Sequence, residues 1–364
     1  MKNLFSKTSF VVFFLTTSYA LLSYATIQWI GVNGISGEFI SNLPWYVWPI
    51  AYVLLAHVTI SCMSISFHRY HTHQSITINR ALDMLLQTEL WLVTGMTKFD
   101  WVSVHRYHHM HSDQEKDPHS PVQKGFWRVF LLGVGDYVEA KGRPEVLRIR
   151  AKISGNAYER FISENSLLGP TILTIFWIIM FGPIWGSIAG VLCFSISPLF
   201  AVGGVNALAH YIGYRNHHTR DNSRNLGFLF PLNWIICGEL DHNNHHKEQQ
   251  SCSFRHKWYE FDIGYFYIRM AQKLGLMRIR HLYNTTSLKA EFLKQVEVIM
   301  QSDGRIKKRC EQLAAELNTS YVELQHLIRA KIEGKRVEMS RPLQELADEI
   351  YRTVKANYRL SLSY

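Results

Sequence analysis

The sequence predicts an all-α integral membrane protein in which four transmembrane helices, arranged as two hairpins, carry a cytoplasmic helical cap that holds a metal site. Three observations lead there. Residues 8 to 68 contain no Lys or Arg and a single acid, Glu38, although the whole chain carries 39 basic side chains. Residues 161 to 214 repeat the pattern, with Glu164 as the only charge. Fourteen of the 18 histidines fall between residues 68 and 119 or between 210 and 246, at the margins of those uncharged blocks.

Each block has the length of two crossings. Apolar runs at residues 10 to 30 and 45 to 67 can each span a hydrocarbon core about 30 Å thick at about 1.5 Å per helical residue. The turn-rich stretch GVNGISGEFISNLP separates them. The second block runs from residue 167 to 205 with Gly182, Pro183 and Gly186 at its middle, which places the reversal there. Lys2 and Lys7 ahead of an apolar stretch also suit a cleaved signal peptide; the apolar run continues past Ala25 and a second follows, so a retained anchor is expected.

Orientation follows from the basic residues. Both hairpin tips lack Lys and Arg, whereas the N-terminus, residues 69 to 160 and everything from Arg215 onward are rich in them. The positive-inside rule then places both termini and both intervening sections in the cytoplasm. The net charge of +10 suits a surface next to anionic headgroups, and no fold signature of nucleic-acid binding accompanies it. Five cysteines without a CxxC pair fit a reducing compartment and neither a disulfide framework nor an iron–sulfur cluster.

The expected organisation is a first hairpin over residues 1–67, a cytoplasmic section over 68–160, a second hairpin over 161–214, a second cytoplasmic section over 215–284 and a charged helical extension over 285–364. Within the first cytoplasmic section, residues 85 to 96 are apolar but too short and too polar to span, and read as an interfacial or partly buried helix. The extension holds 14 basic and 11 acidic residues, with Leu343, Leu346, Ile350 and Val354 at helical spacing and Gly304, Gly334 and Pro342 as dividers.

The histidines form three motifs. His68 and His73 stand in HRYHTH; His105, His108 and His109 in HRYHH; His242, His245 and His246 in HNNHH. Positions i, i+3 and i+4 share a helix face, so each HxxHH can aim three imidazoles at a common point. The first motif fits an α-helix less well, because five residues turn about 140° off axis. Either the helix breaks near Arg69 or the two histidines serve different metals, and His71 is a possible substitute. Single histidines such as His57, His256, His281 and His326 read as interfacial anchors, but three clustered motifs on one side of a bilayer point to ligation. Eight or more imidazoles exceed one tetrahedral zinc, and zinc carries no redox chemistry; imidazole also suits iron, and so large a set points to two irons that activate oxygen. Ligating imidazoles need the second ring nitrogen held, and Asp113, Glu115, Asp117, Glu239, Asp241 and Asp262 are the nearby candidates.

HRYHTH, then HRYHH followed by DPHSP, then GELDHNNHH with KWYEFDIG after it, resembles the integral-membrane fatty acid desaturases, in particular the bacterial branch of the Δ9 acyl desaturases, from about residue 45 to residue 280. The resemblance implies a di-iron centre on His68, His73, His105, His108, His109, His242, His245 and His246. It adds His210 as a ligand and Asn206 as one that reaches iron through water, from the NxxxH in VNALAHYIGYR. It further implies a cis double bond made with O2 and two electrons from a soluble donor such as ferredoxin, since the chain carries no cytochrome, ferredoxin or dinucleotide signature. Relatives that use acyl-CoA carry a basic residue where this chain has Ser103, and an aromatic usually precedes the third motif where this chain has Asp241. Both departures favour a phospholipid acyl chain over acyl-CoA. A membrane hydroxylase using the same metals is the nearest rival, although alkane hydroxylases place glutamate inside their motifs. A metal-binding receptor or transporter would need polar groups along the spans, and here the histidines gather at one margin.

Overall fold

The computed structural model of the chain describes residues 44–283, 293, 296–332 and 337–361. The first apolar run, residues 10 to 30, lies outside the described residues, as does Gly334. The chain divides into two compact units, one ending at Leu282 and the other beginning at Tyr283.

The first unit is built on two long apolar helical stretches, Val47–Thr72 and Leu168–His210, each long and apolar enough to cross a membrane. Helix α1 (Val47–Cys62) presents Ile50, Leu54 and Val58 outward, with Trp45 exposed just ahead of it, then enters the protein: every residue from 59 to 69 is buried. It continues without a break as a π-helix over Met63–Thr72. After strand β1 (Ile76–Ile78), α2 (Arg80–Thr94) starts at Asn79, whose side chain accepts from the Ala81 and Leu82 amides, and stops at Gly95 with φ +69°. Helices α3 (Lys98–His111), α4 (Phe126–Lys141), α5 (Pro144–Arg150) and α6 (Ala157–Glu164) follow.

Helix α7 (Leu168–Ile196) holds two arms around Gly182, whose φ of 75° and ψ of 171° only glycine adopts readily. Gly190 and Thr174 are sixteen positions apart, about 24 Å along a straight helix. A Cβ on Gly190 would instead stand 2.6 Å from the Thr174 hydroxyl, and one on Gly186 would stand 2.4 Å from the Ile178 Cα. The arms therefore run antiparallel with small residues at the crossing, the arrangement that lets helix backbones approach closely. Gly190→Leu is expected to destabilise the folded protein by about 1–3 kcal/mol through overpacking. Thermal unfolding in detergent checks this, and a wild-type midpoint would show the arms are not in contact.

A π-helix (Ser197–Ala207) and a 3₁₀ turn (Leu208–His210) extend the second arm. Helices α8 (Leu232–Ile235), α9 (His242–Lys247) and α10 (Ile263–Lys273) come next, and β2 (Met277–Ile279) pairs antiparallel with β1, Ile76 opposite Ile279. Ile60, Phe67, Leu90, Ile196, Ile236 and Leu240 form the main core of this unit, beneath the histidine-bearing segments.

The second unit packs α11 (Gly304–Glu316), α12 (Tyr321–Ile332) and α13 (Arg341–Ser361) around Ile306, Cys310, Leu324, Ile328 and the buried stripe Leu343, Leu346, Ile350, Val354. Asp303 caps α11 by accepting from the Arg305 and Ile306 amides. Arg305 and Arg309 of α11 both pair with Glu349 of α13 on its surface.

Candidate metal centre

The first motif sits on the π-helix rather than on an α-helix. There the His73 amide donates to the His68 carbonyl, five residues back, at 3.1 Å. Wider turns of this kind bring i and i+5 onto one face. The His68 and His73 rings stand 5.0 Å apart, so the helix neither breaks at Arg69 nor sends the two rings to different places. His71 turns away and meets Asp83 at 2.9 Å, inside a polar network with Gln87 and Glu159.

Nine histidines converge in two groups: His68, His73, His105, His109 and His245 in one, and His108, His210, His242 and His246 in the other. Within each, the candidate ligand atoms lie within 4.8 Å of one another. The expectation that each HxxHH aims three rings at one point is corrected. On α3, His105 and His109 face the first group and His108 the second; on α9, His242 and His246 face the second and His245 the first. The i and i+4 positions lie about 40° apart around a helix, whereas i+3 falls about 100° from i+4, so each triplet serves both groups. The two helices thereby tie the groups together.

Ring nitrogens in the first group point at a common space. His245 Nε2 stands 3.0 Å from both His68 Nε2 and His109 Nε2, and His109 Nε2 is 3.0 Å from His105 Nε2. In the second group, Nε2 of His108, His210, His242 and His246 is buried without a hydrogen-bond partner. Buried polar atoms normally have partners. A cation among these nitrogens would satisfy them, so the residues present fit a metal in each group.

Carboxylates hold the opposite ring nitrogens. His68 Nδ1 donates to Glu239 at 2.9 Å, His108 Nδ1 to Asp117 at 2.9 Å, His210 Nδ1 to Asp113 at 2.9 Å and His246 Nδ1 to Asp221 at 2.6 Å. Such bonds set the tautomer and leave Nε2 for ligation. Of the expected acids, Asp113, Asp117 and Glu239 take this role. Glu115 is exposed, Asp241 meets Asn233, and Asp262 pairs with the fully buried Arg69. Asp221 was missed from the sequence, although it is the only acid between Glu164 and Glu239. Asp221→Asn is expected to weaken metal binding about 10–100-fold. A chelator-competition titration reads this directly, and unchanged affinity would mean the bond to His246 does not matter.

Burial, and then the neighbouring imidazoles, hold His105, His109 and His245 well below the usual histidine range, which keeps them in the neutral form that ligates. Burial acts the same way on His108, but Asp117 outweighs it and raises that ring. Burial also works against ionised Asp117, and the facing His108 overrides it, so the carboxyl is held below its usual range. Metal binding at His108 would displace the proton that this pair favours.

A cavity of about 210 Å³ reaches both groups, lined by His68 and His105 from the first and by His242 and Asn206 beside the second. Met96, Phe194, Val202 and Val205 give it apolar walls. Trp101 lines it too and stacks on His105 at 4.5 Å. His119, the last histidine of the HRYHH…DPHSP segment, also lines this cavity beside Tyr137, and burial pushes its pKa down to about 3. Ser103 is buried and donates to the Asp100 carbonyl. Asp100 at the cavity edge pairs with Lys141 at 2.8 Å.

A family model for fatty acid desaturases matches residues 43–262 of this chain. Among similar proteins, the Delta-9 desaturase-like 1 protein of Arabidopsis thaliana is 32% identical over 232 residues, covering 62% of this chain and 73% of the relative. Delta-9 acyl-lipid desaturase 2 of Arabidopsis thaliana is 32% identical over 243 residues, 64% and 75% of the two chains. The Acyl-CoA C20 Delta5-desaturase of Anemone leveillei is 31% identical over 245 residues, 65% and 74%.

Proposed function

The chain belongs to the fatty acid desaturase family, and from that premise we propose that it inserts a cis double bond at Δ9 into acyl chains of membrane phospholipid, using O2 and two electrons. The observation that carries this reading is the pair of imidazole groups, one buried and the other partly buried, opening onto one apolar-walled cavity. The nine histidines are the proposed ligands of two irons, one per group, with Asn206 reaching the second through water. Iron bound there supplies the oxygen chemistry that removes two hydrogens from an unactivated methylene pair, which no side chain can do by acid–base means.

The chain's own residues supply position and exclusion. Met96, Phe194, Val202 and Val205 would hold the acyl chain against the histidine groups and keep water from it, while Trp101 braces His105. Glu239, Asp117, Asp113 and Asp221 orient four of the imidazoles. Four crossings in two hairpins, with the histidine sections on the cytoplasmic side of a bacterial inner membrane, complete the proposal. It is supported by the apolar stretches Val47–Thr72 and Leu168–His210 and by the absence of Lys and Arg between residues 8 and 68. A soluble ferredoxin-like donor would dock on the basic cytoplasmic face. The buried Ser103, in place of a basic residue, favours phospholipid over acyl-CoA.

Expression in a host that makes only saturated acyl chains, with a competent electron donor, is expected to yield monounsaturated fatty acids detectable by gas chromatography. Unchanged lipids despite membrane insertion would refute desaturation, and an alcohol product would identify a hydroxylase. A short radiolabel pulse separates the substrates: label appearing first in unsaturated phospholipid supports the acyl-lipid reading, and label first in unsaturated thioester overturns it.

A further inference from the structure

Three surface features of the first unit lie outside the histidine site and share one chemistry. The loop ahead of α8 exposes Phe228 and Phe230, and Phe230 packs edge-on against Trp234 at 4.6 Å. The loop ahead of α10 exposes Trp258, at 84%, with Tyr259 and Phe261, and Phe261 lies 4.6 Å from Trp234, so the two loops form one aromatic face. Phe266 and Met270 of α10 and Leu274 just past its end recur every four residues and are all exposed, while Gly264 and Ile268 face the protein. Exposed Arg255, Lys257, Arg269 and Lys273 are interspersed among them.

The level of this face relative to the bilayer is given by His57 of α1. Its Nδ1 contacts the Ile235 carbonyl of α8 at 2.9 Å, and its Nε2 contacts the Tyr267 hydroxyl of α10 at 2.7 Å. Val58 is the last outward-facing apolar residue of α1 before burial becomes continuous at Thr59. Helices α8 and α10 thus meet α1 where it leaves lipid and enters protein. Trp and Tyr favour that boundary, and an amphipathic helix with an apolar face and flanking Lys and Arg lies in it beside anionic headgroups.

We infer that the loops at 228–234 and 258–261 and the outer stripe of α10 form an interfacial anchor seated in the headgroup–acyl boundary of the bilayer that α1 crosses. The inference rests on the spanning reading of α1. It would fix the height of α9 and its histidines above the lipid, because α9 lies in the chain between the two anchoring loops.

The described native cysteines are all buried, so a nitroxide can be directed to Phe230→Cys, Trp258→Cys or Leu274→Cys. Leu54→Cys on α1 serves as the lipid reference and Lys152→Cys as the water reference. In vesicles of phosphatidylcholine and phosphatidylglycerol, the ratio of oxygen to nickel-chelate collision is expected to exceed the Lys152 value several-fold at all three sites. Ratios equal to the Lys152 value, with Leu54 still lipid-like, would overturn the anchor and leave the span standing. Immobile labels reached by neither collider would also overturn it, in favour of a second copy or a donor protein covering the face. A water-like Leu54 would overturn the span and the anchor together.

Discussion

Replacing His108 by alanine is expected to reduce desaturation to background and, on the proposed two-iron centre, to lower bound iron from two ions per chain toward one. His108 belongs to the four-histidine group, where every other member is also buried and, among the described residues, no carboxylate is grouped with the four. Its loss leaves three imidazoles and takes from Asp117, whose carboxylate is 0% exposed, the ring it was bonded to, so that only the Asp113 and His119 amides still donate to it. A buried carboxylate that loses its imidazole partner is destabilised or takes up a proton, so the damage extends past the missing ligand. His71→Ala is the discriminating companion. His71 follows three residues after His68 in HRYHTH but sits in a separate cluster with Asp83 and Glu159 and belongs to neither histidine group, so its loss should leave the iron held by the nine histidines unchanged in the folded protein. Iron per chain by elemental analysis separates the two variants. Equal iron in both, whether lost or retained, would contradict the assignment of His108 and not His71 to the centre.

Arg69→Met should be the most destabilising single change outside the histidines. The guanidinium is completely buried, meets both Asp262 oxygens at 3.0 and 2.9 Å, donates to the Cys252 carbonyl at 3.0 Å, also bonds the Ser64 hydroxyl, and lies 3.8 Å from the centre of the Phe254 ring. Glu239, which holds His68, lies 3.7 Å away. Methionine fills much of the volume but leaves two buried acids short of a cation, and breaking such a pair costs about 3–5 kcal/mol. Phe254 in turn packs 4.9 Å from His245 and 5.4 Å from His68, so the first histidine group loses a wall as well. Adding Asp262→Asn removes one uncompensated charge while keeping an oxygen to cap α10, and should recover part of the loss. Thermal midpoints of the three proteins in detergent test this. A single variant as stable as wild type would mean the buried acids are neutralised by something other than Arg69.

How much of the site could be read beforehand depends on how local each feature is. Eight of the nine histidines stood out because spacing within a motif is a property of a few consecutive residues, whereas His210 was named only through the family resemblance. Their division into five and four did not, because His109 and His245 meet across 136 positions and only the packing of α3 against α9 decides which ring faces which group. The π-helical turn under HRYHTH was likewise illegible, since nothing in those six residues states whether hydrogen bonds will close over four or five. Asp221 was overlooked because its partner His246 is 25 positions away, beyond the window in which an acid looks adjacent to a motif.

The sequence by itself determined the helical class, the two uncharged blocks and the residue types able to hold metal, because length, charge and hydropathy act along the chain and need no partner. The folded protein alone decided which imidazoles share a centre, which carboxylates orient them and where a cavity opens beside both. Those outcomes are set by contacts between segments far apart in sequence, such as the burial of Arg69 with Glu239 and Asp262.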